Sequence, residues 1–401
     1  MATGTVERGV GVETRLLRRP QFTVLPPLSL YVHVPWCVRK CPYCDFNSHE
    51  ARGEIPETAY IDALVADLDQ ALPLVWGRRV YTVFFGGGTP SLLSAEAVDS
   101  ILSAIRARVP LAIDAEITLE ANPGTFEAHK FAGFREAGVN RLSIGIQSFE
   151  PRHLKALGRI HDDVQAARAV EIARSLFANF NLDLMYALPQ QTCAEACVDV
   201  ERALGYHPPH LSIYHLTIEP NTYFHSHPPV VPGNDEAAEM QDSIESLMVR
   251  AGYEHYETSA YSLPGLRSRH NLNYWTFGDY LGIGAGAHSK LSFPDRVLRQ
   301  ARYRQPREYM SQVIEGRGVQ AEHEVAVRDI PFEFMMNALR LTDGFPLSLF
   351  EERAGLPLTA AMKGLDEAER RGLIVRDHRH VAPTDLGRRF LNDLLQIFLP
   401  G

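Results

Sequence analysis

The feature that most limits what this chain can fold into is a repeating alternation of short apolar runs with longer helical stretches, starting at Leu28. Runs at Leu28–Val34, Val80–Phe85, Glu116–Glu120, Arg141–Ile146, Asn181–Met185 and Leu211–Tyr214 have the length and composition of strands. Helical patterns lie between them near 57–72, 94–108, 126–137, 163–178 and 192–205. Such alternation predicts a parallel sheet covered by helices, because parallel neighbours need a crossover of helix length. Six units suit an α/β fold of the open, partial (β/α)6 barrel kind better than a closed eight-stranded one. In these architectures the carboxyl ends of the strands build the active site.

The residues at those ends are chemically pointed. After the first run, Cys37, Cys41 and Cys44 read C-x3-C-x2-C. Three closely spaced thiolates can occupy three corners of a cubane iron–sulfur cluster, because soft sulfur suits iron. A fourth cysteine is absent nearby, which leaves one iron open to another ligand. Zinc with His49 as fourth ligand is the competing reading, although structural zinc prefers four closed ligands in two paired sets. After the second run, Gly86-Gly87-Gly88-Thr89-Pro90 allows close approach to the backbone, with bare amides to grip a carboxylate or amino group. It lacks the Lys-Ser/Thr of a phosphate-binding loop. Glu120 closes an apolar strand, where a carboxylate needs a partner to offset desolvation. Gln147, Arg159 and Asp183 hold similar positions. Each alone reads equally well as a structural hydrogen-bonding group; together, at one barrel mouth, they make a polar ligand site.

Composition narrows the class. Of 401 residues, 45% are hydrophobic and 22% charged, as in ordinary globular proteins, and the length suggests a large domain plus a smaller one. A net charge of −9 argues against a general nucleic-acid binder. Five cysteines, three of them clustered, do not form a secreted disulfide framework. Thiolate ligation of iron fits a reducing compartment, so a cytoplasmic location is expected. No run of about 18 apolar residues predicts a spanning helix. Arg15, Arg18 and Arg19 are not followed by the apolar run of a signal peptide.

Residues 1–27, ending in Pro26-Pro27, read as a tail; residues 28–300 as the cluster-bearing domain; and residues 301–401 as a mainly helical domain. There Phe332, Met335, Met336 and Leu339 recur at helical spacing. Thr384 is expected to cap a last helix carrying Leu386, Phe390, Leu394 and Ile397. The short pieces Leu373–Val375 and His380–Val381 predict a winged-helix-like arrangement with a packing or lid role. Other features read as bland. Cys193 and Cys197 are expected to be reduced cysteines on one helix face. His207, His210, His215, His225 and His227 match no closed metal template and read as a solvated loop. Gly282, Gly284 and Gly286 lack the spacing of a dinucleotide fingerprint.

With Tyr43 before its third cysteine, the cysteine motif resembles that of the radical S-adenosylmethionine (SAM) superfamily. Six segments are similar, more closely, to the oxygen-independent coproporphyrinogen III oxidase family. They are Tyr31-Val-His-Val-Pro-Trp-Cys37, Phe85-Gly-Gly-Gly-Thr-Pro90, Glu120-Ala-Asn-Pro-Gly124, Arg141-Leu-Ser-Ile-Gly-Ile-Gln-Ser-Phe149, Leu157-Gly-Arg159 and Asn181-Leu-Asp-Leu-Met-Tyr-Ala-Leu-Pro189. The likeness covers most of residues 28–300 and extends into the C-terminal domain. It implies a [4Fe–4S] cluster on Cys37, Cys41 and Cys44, whose open iron chelates the amino and carboxylate groups of SAM for reductive cleavage to a 5′-deoxyadenosyl radical. It also implies that Tyr31, Tyr43, Gly87, Gly88, Thr89, Glu120, Gln147, Arg159 and Asp183 line the SAM sites.

Two departures separate the branches of that family. Its dehydrogenases carry a fourth cysteine two residues after the third, where this chain has Phe46, and a longer N-terminal extension. Both differences argue against decarboxylation. Cys44-Asp-Phe-Asn-Ser-His49 and His270-Asn-Leu-Asn-Tyr274 instead resemble the HemW heme chaperone branch, where the H-N-x-x-Y motif is associated with heme. The resemblance implies heme contact at His270, Asn271 and Tyr274, with His270 able to supply an axial nitrogen. The expected function is a heme chaperone that holds a cluster, SAM and heme and delivers heme to an acceptor protein. The runner-up is oxidative decarboxylation of coproporphyrinogen propionates, and a third reading is another radical SAM reaction such as methyl transfer. The partners this implies are heme, its acceptor protein and an electron donor for the cluster, with a homodimer also allowed for.

Overall fold

The computed structural model describes residues 19–125 and 128–400; the first 18 residues of the expected tail lie outside the described residues. Every predicted run is a strand. β1 (Leu28–Val34), β2 (Val80–Gly87), β3 (Leu111–Ala121), β4 (Arg141–Gln147), β5 (Asn179–Tyr186) and β6 (His210–His215) pair in sequence order, all parallel. The crossovers carry α1 (Glu57–Val75), α2 (Ala95–Arg108), α3 (Ala128–Ala137), α4 (Asp163–Leu176) and α5 (Cys193–Leu204). Polar caps start several of them. Ser94 accepts from the Ala97 amide, while Asp162 with Gln165 and Thr192 with Glu195 form reciprocal capping boxes. α2 buries Val98, Ile101, Leu102 and Ile105, the one-faced apolar spacing that fastens a helix to a sheet.

The sheet is larger than its periodic part. α6 (Asn234–Arg250) precedes β7 (Glu254–Glu257) and β8 (Ala260–Ser262), which extend the sheet antiparallel beyond β6. α7 (Arg269–Trp275) leads into β9 (Asp279–Ile283), which lies parallel to β1 on its other side. β10 (His288–Phe293), β11 (Arg296–Arg302) and β12 (Val319–Glu324) follow antiparallel. The product is an open twelve-stranded sheet with β12 and β7 at its edges. The glycine-rich run after Leu281 is a packing device: a Cβ on Gly284 (φ +105°) would stand 2.5 Å from the His33 carbonyl oxygen.

Buried ion pairs fix this added sheet to the barrel. Arg302 Nε donates to Asp67 of α1 at 2.9 Å, and the Tyr309 hydroxyl donates to the same carboxylate at 2.9 Å. Lys290 Nζ donates to Asp279 at 3.0 Å, and Arg78 meets Asp279 at 2.8 Å. The boundary expected at residue 300 therefore falls inside β11. α8 (Pro306–Ile314) sends Tyr309 and Val313 into the barrel core, whereas the second core takes its main residues from Val325 onward. The polar sequence of β11, Arg-Val-Leu-Arg-Gln-Ala-Arg, hides this continuation from a hydrophobicity reading.

The second core lies among α9 (Ile330–Ala338), α10 (Leu347–Ala354), α11 (Met362–Arg370) and a small sheet of Phe345–Pro346, His380–Pro383 and Ile374–Arg376. It also receives Phe22, from the segment read as a tail, and the Gln21 amide donates to Gly355 O at 2.7 Å. Thr384 does cap a helix, accepting from the Gly387 amide at 3.0 Å. That helix breaks at Phe390, however, and leaves Leu386 and Phe390 exposed while Leu394 is buried. Among the described residues no helix is long and apolar enough to cross a membrane.

Candidate functional site

Parallel strands point alternate side chains to the same face, and here that face lines a cavity of about 380 Å³ near the carboxyl ends of β2 to β6. β4 presents Arg141, Ser143, Gly145 and Gln147; β5 presents Asn181, Asp183 and Met185; β6 presents Ser212 and Tyr214. Cys37, Cys41, Tyr43, Cys44, Gly87, Gly88, Thr89, Glu120, Arg159 and Asn271 complete the predicted residues on this wall. Arg141, Ser143, Asn181 and Ser212 were not singled out in the sequence. Their signal is the polar residue at every second position of strands that otherwise read Leu, Ile and Leu.

Two carboxyl groups set the electrostatics. Each keeps a face on the cavity and is enclosed by protein elsewhere. Burial, then the neighbouring Asp183 charge, pushes Glu120 up to about 8, against a hydrogen bond from the Gly87 amide at 3.2 Å. Burial also raises Asp183, opposed by donation from Asn181 at 2.8 Å and Ser143 at 3.1 Å. Asn181 Oδ1 in turn lies 2.7 Å from His210 Nδ1, whose other ring nitrogen lies 2.8 Å from the Tyr256 hydroxyl. Arg159 donates to Gly145 O at 2.7 Å and to Cys41 Sγ at 3.6 Å. Gln147 holds a left-handed backbone (φ 69°), uncommon for a residue with a side chain and concentrated at functional sites.

The glycine run works differently from the expectation. Gly88 N donates to Val34 O and Thr89 N to Trp36 O, both at 2.7 Å, and Gly87 N is taken by Glu120. The amides are engaged within the protein, so they do not grip a ligand as the structure stands. The missing side chains matter for packing: a Cβ on Gly87 (φ +113°) would meet the His33 ring at 2.5 Å, and one on Gly88 would meet Trp36 O at 2.5 Å.

The cysteine segment is closed by pairing of Trp36–Cys37 with His49–Glu50 and by a Cys44 N to Cys41 O bond of 3.1 Å. Burial raises the Cys37 and Cys44 thiols, and neighbouring thiols add to the rise. Crowded thiolates are unfavourable until a cation shares the site, and a cationic cluster removes that cost. The donor set and its common cavity thus fit an iron–sulfur cluster. His49 is placed otherwise: its Nε2 lies 3.2 Å from Arg304 O, and it does not line this cavity. Among the described residues, no three His, Cys, Asp or Glu side chains converge on a single ion position.

A second cavity, of about 590 Å³, adjoins the first at Gly87, Glu120, Asp45 and Phe46. Tyr31 lines this one, together with His33, Tyr274, Tyr280, His288 and Arg304, and not the cavity with the cysteines. The H-N-x-x-Y residues are split: Asn271 faces the first cavity, Tyr274 the second, and His270 lines neither. His270 is 2% exposed and stacks on Phe84 with centroids 4.8 Å apart; its Nδ1 lies 2.7 Å from Thr82 Oγ1, while Nε2 has no partner. Burial, then the Arg141 charge, lowers it to about 3. Thr82 precedes the cavity-lining end of β2, so His270 sits deeper in the barrel than either cavity wall. The histidines expected in a solvated loop are dispersed instead, with His210 buried in β6 and His227 stacked on Tyr223 at 4.4 Å. Cys193 and Cys197 are free, with Cys193 Sγ 3.4 Å from Ser243 Oγ on α6.

Comparison with known proteins gives the family. Residues 31–200 match the radical SAM superfamily and residues 325–390 the HemN C-terminal domain. The chain is 51% identical over 377 residues to a protein named heme chaperone HemW from Escherichia coli (strain K12), covering 94% of this chain and 99% of that one. It is 46% identical over 381 residues to heme chaperone HemW of Haemophilus influenzae, covering 94% and 98%. The solved coproporphyrinogen III oxidase HemN of Escherichia coli shares the fold, with a TM-score of 0.80 over 93% of this chain and 90% of that one at 23% identity. The chain belongs to the HemW heme chaperone family, within the radical SAM superfamily.

Proposed function

We propose that the protein is a heme chaperone that carries a [4Fe–4S] cluster and SAM and hands heme to an acceptor protein. The observation that carries this reading is Phe46. At the position where the dehydrogenase pattern has a fourth cysteine, an apolar ring, 59% exposed, stands between the two cavities. Cys37, Cys41 and Cys44 would hold the cluster, which when bound supplies reducing electrons and an open iron for SAM. Around it, Glu120 and Asp183 offer acceptors and Arg159 and Arg141 donors for the polar groups of that ligand. Carriage of heme needs a surface that takes a flat macrocycle and releases it intact, and an electron donor would set the redox state of the cluster.

A second reading has its own support. Glu120, Gln147, Arg159 and Asp183 all line the first cavity, a polar lining suited to SAM in an enzyme as well. The two readings part on one substrate. The cluster is reconstituted anaerobically and supplied with reductant, SAM and coproporphyrinogen III, and the tetrapyrroles are analysed by mass. Intact substrate alongside a bound cluster and stoichiometric hemin uptake is the expected result. Stepwise loss of two carboxyl groups would make the protein a decarboxylase instead.

A further inference from the structure

We propose that the second cavity is the heme site, with His288 supplying an axial nitrogen to the iron and Arg304 pairing with a propionate. This rests on the heme chaperone reading and deepens it.

The cavity suits a flat, largely apolar ligand with a charged edge. Its volume of about 590 Å³ lies within the ~300–1,000 Å³ typical of small-molecule sites. Tyr31, Phe46, Tyr274 and Tyr280 bring rings to it, and the Tyr274 and Tyr280 rings lie 4.4 Å apart. Aromatic faces and edges are favourable contacts for a conjugated plane.

Elimination among the histidines selects the ligand. His33 has both ring nitrogens in use, Nδ1 beside the Tyr31 hydroxyl at 3.1 Å and Nε2 beside Asn47 O at 2.9 Å. His270 does not line the cavity, and its Nδ1 is held by Thr82. His288, exposed at the start of β10, makes no ring hydrogen bond among the described residues and lines the cavity. Partial burial, then the charges of Arg299 and Arg304, lowers its pKa and favours the neutral ring, the form that binds iron. Its backbone is held firmly, because Gly282 on β9 packs against the His288 carbonyl with no room for a side chain.

The charged edge has a matching donor. Arg304 accepts hydrogen bonds from Asn47 and His49 only through its main-chain oxygen, and its guanidinium makes none among the described residues. A planar unpaired guanidinium beside a cavity is suited to bidentate carboxylate recognition. Arg302, also on the lining, is already committed to Asp67.

The test uses full-length, cluster-reconstituted protein titrated with hemin, followed by the Soret band. Wild type, His288→Ala, His288→Gln, His270→Ala and Arg304→Ala are compared, with hemin dimethyl ester and iron-free protoporphyrin IX as further probes. We expect both His288 variants to shift the Soret band and weaken hemin by roughly tenfold or more, with protoporphyrin IX affinity unchanged. Arg304→Ala is expected to weaken hemin but not the dimethyl ester. Wild-type spectra and affinity in both His288 variants would overturn the assignment while leaving the chaperone reading intact. Loss of the Soret feature only in His270→Ala would move the iron ligand into the barrel interior and overturn it as well. Failure of wild type to bind hemin at all would overturn the chaperone reading and this inference together.

Discussion

The two cavities share Gly87 and Glu120 yet are assembled by opposite routes. The first collects strand-end residues from consecutive parallel units, and it gathers thiols, carboxyls, amides and guanidiniums among the rings of Tyr43, Phe84 and Tyr214. The second joins Tyr31 on β1 to Tyr274, Tyr280, His288 and Arg304, far later in the chain, and sets aromatic rings beside the charged groups of Asp45, Glu120, Arg302 and Arg304. Repetition of one β/α unit builds most of the first, to which α7 adds Asn271. The second exists only because β9 docks beside β1 and buried ion pairs hold the following strands in place. Asp45, Phe46, Gly87 and Glu120 form the wall between the two cavities.

Breaking the first cavity alone gives the largest expected effect. Cys37→Ala, Cys41→Ala or Cys44→Ala leaves two thiolates, too few to hold a cubane securely. Iron and sulfide analysis is expected to show near-complete loss of the cluster, while hemin uptake persists. Full iron and sulfide retention would remove the cluster assignment, and parallel loss of hemin uptake would show that the cavities are not separable.

Breaking the framework of the second cavity comes next. Asp67 is paired with Arg302 and accepts from Tyr309 and the Gly284 amide, all buried. Asp67→Ala leaves a buried guanidinium unpaired and is expected to cost about 3–5 kcal/mol in urea unfolding. A loss below ~1 kcal/mol would mean that the sheet beyond β9 is held by other contacts.

At about pH 5 the shared carboxyl gives the smallest effect, and that effect grows as pH rises. The folded Glu120 value of about 8 lies above the unfolded one, so folding takes up a proton. Its contribution to stability is fully present below the unfolded value near ~4.3 and is lost as pH rises through the folded value. In the cluster-free protein, Glu120→Gln is expected to melt with wild type at about pH 4 and above it at about pH 8.5. A constant difference across that range would place the Glu120 carboxyl in ordinary solvent.

Much of the fold was legible because it is periodic. The six strands from Leu28 to His215 and their helices announce themselves by length, spacing and caps. The cysteines, Glu120 and Asp183 were legible because strand ends are where such folds place chemistry. What escaped was non-local. β9 is a short apolar piece among glycines, and β11 is mostly polar, so neither reads as a strand without its partners. Phe22 joins the second core through contacts with distant residues that no local pattern contains. His270 shows the limit of motif reading: the H-N-x-x-Y spacing spreads over a helix whose faces meet different surroundings, so one motif serves two cavities and the barrel interior.

The central claim is that cluster chemistry and heme occupy adjoining but separate cavities. It is tested most directly by titrating cluster-reconstituted protein with hemin in the absence and presence of saturating SAM, with bound SAM measured by equilibrium dialysis. The account predicts one hemin per chain, with SAM retained and hemin affinity little changed. Mutual displacement of SAM and hemin would place both ligands in one cavity and contradict it.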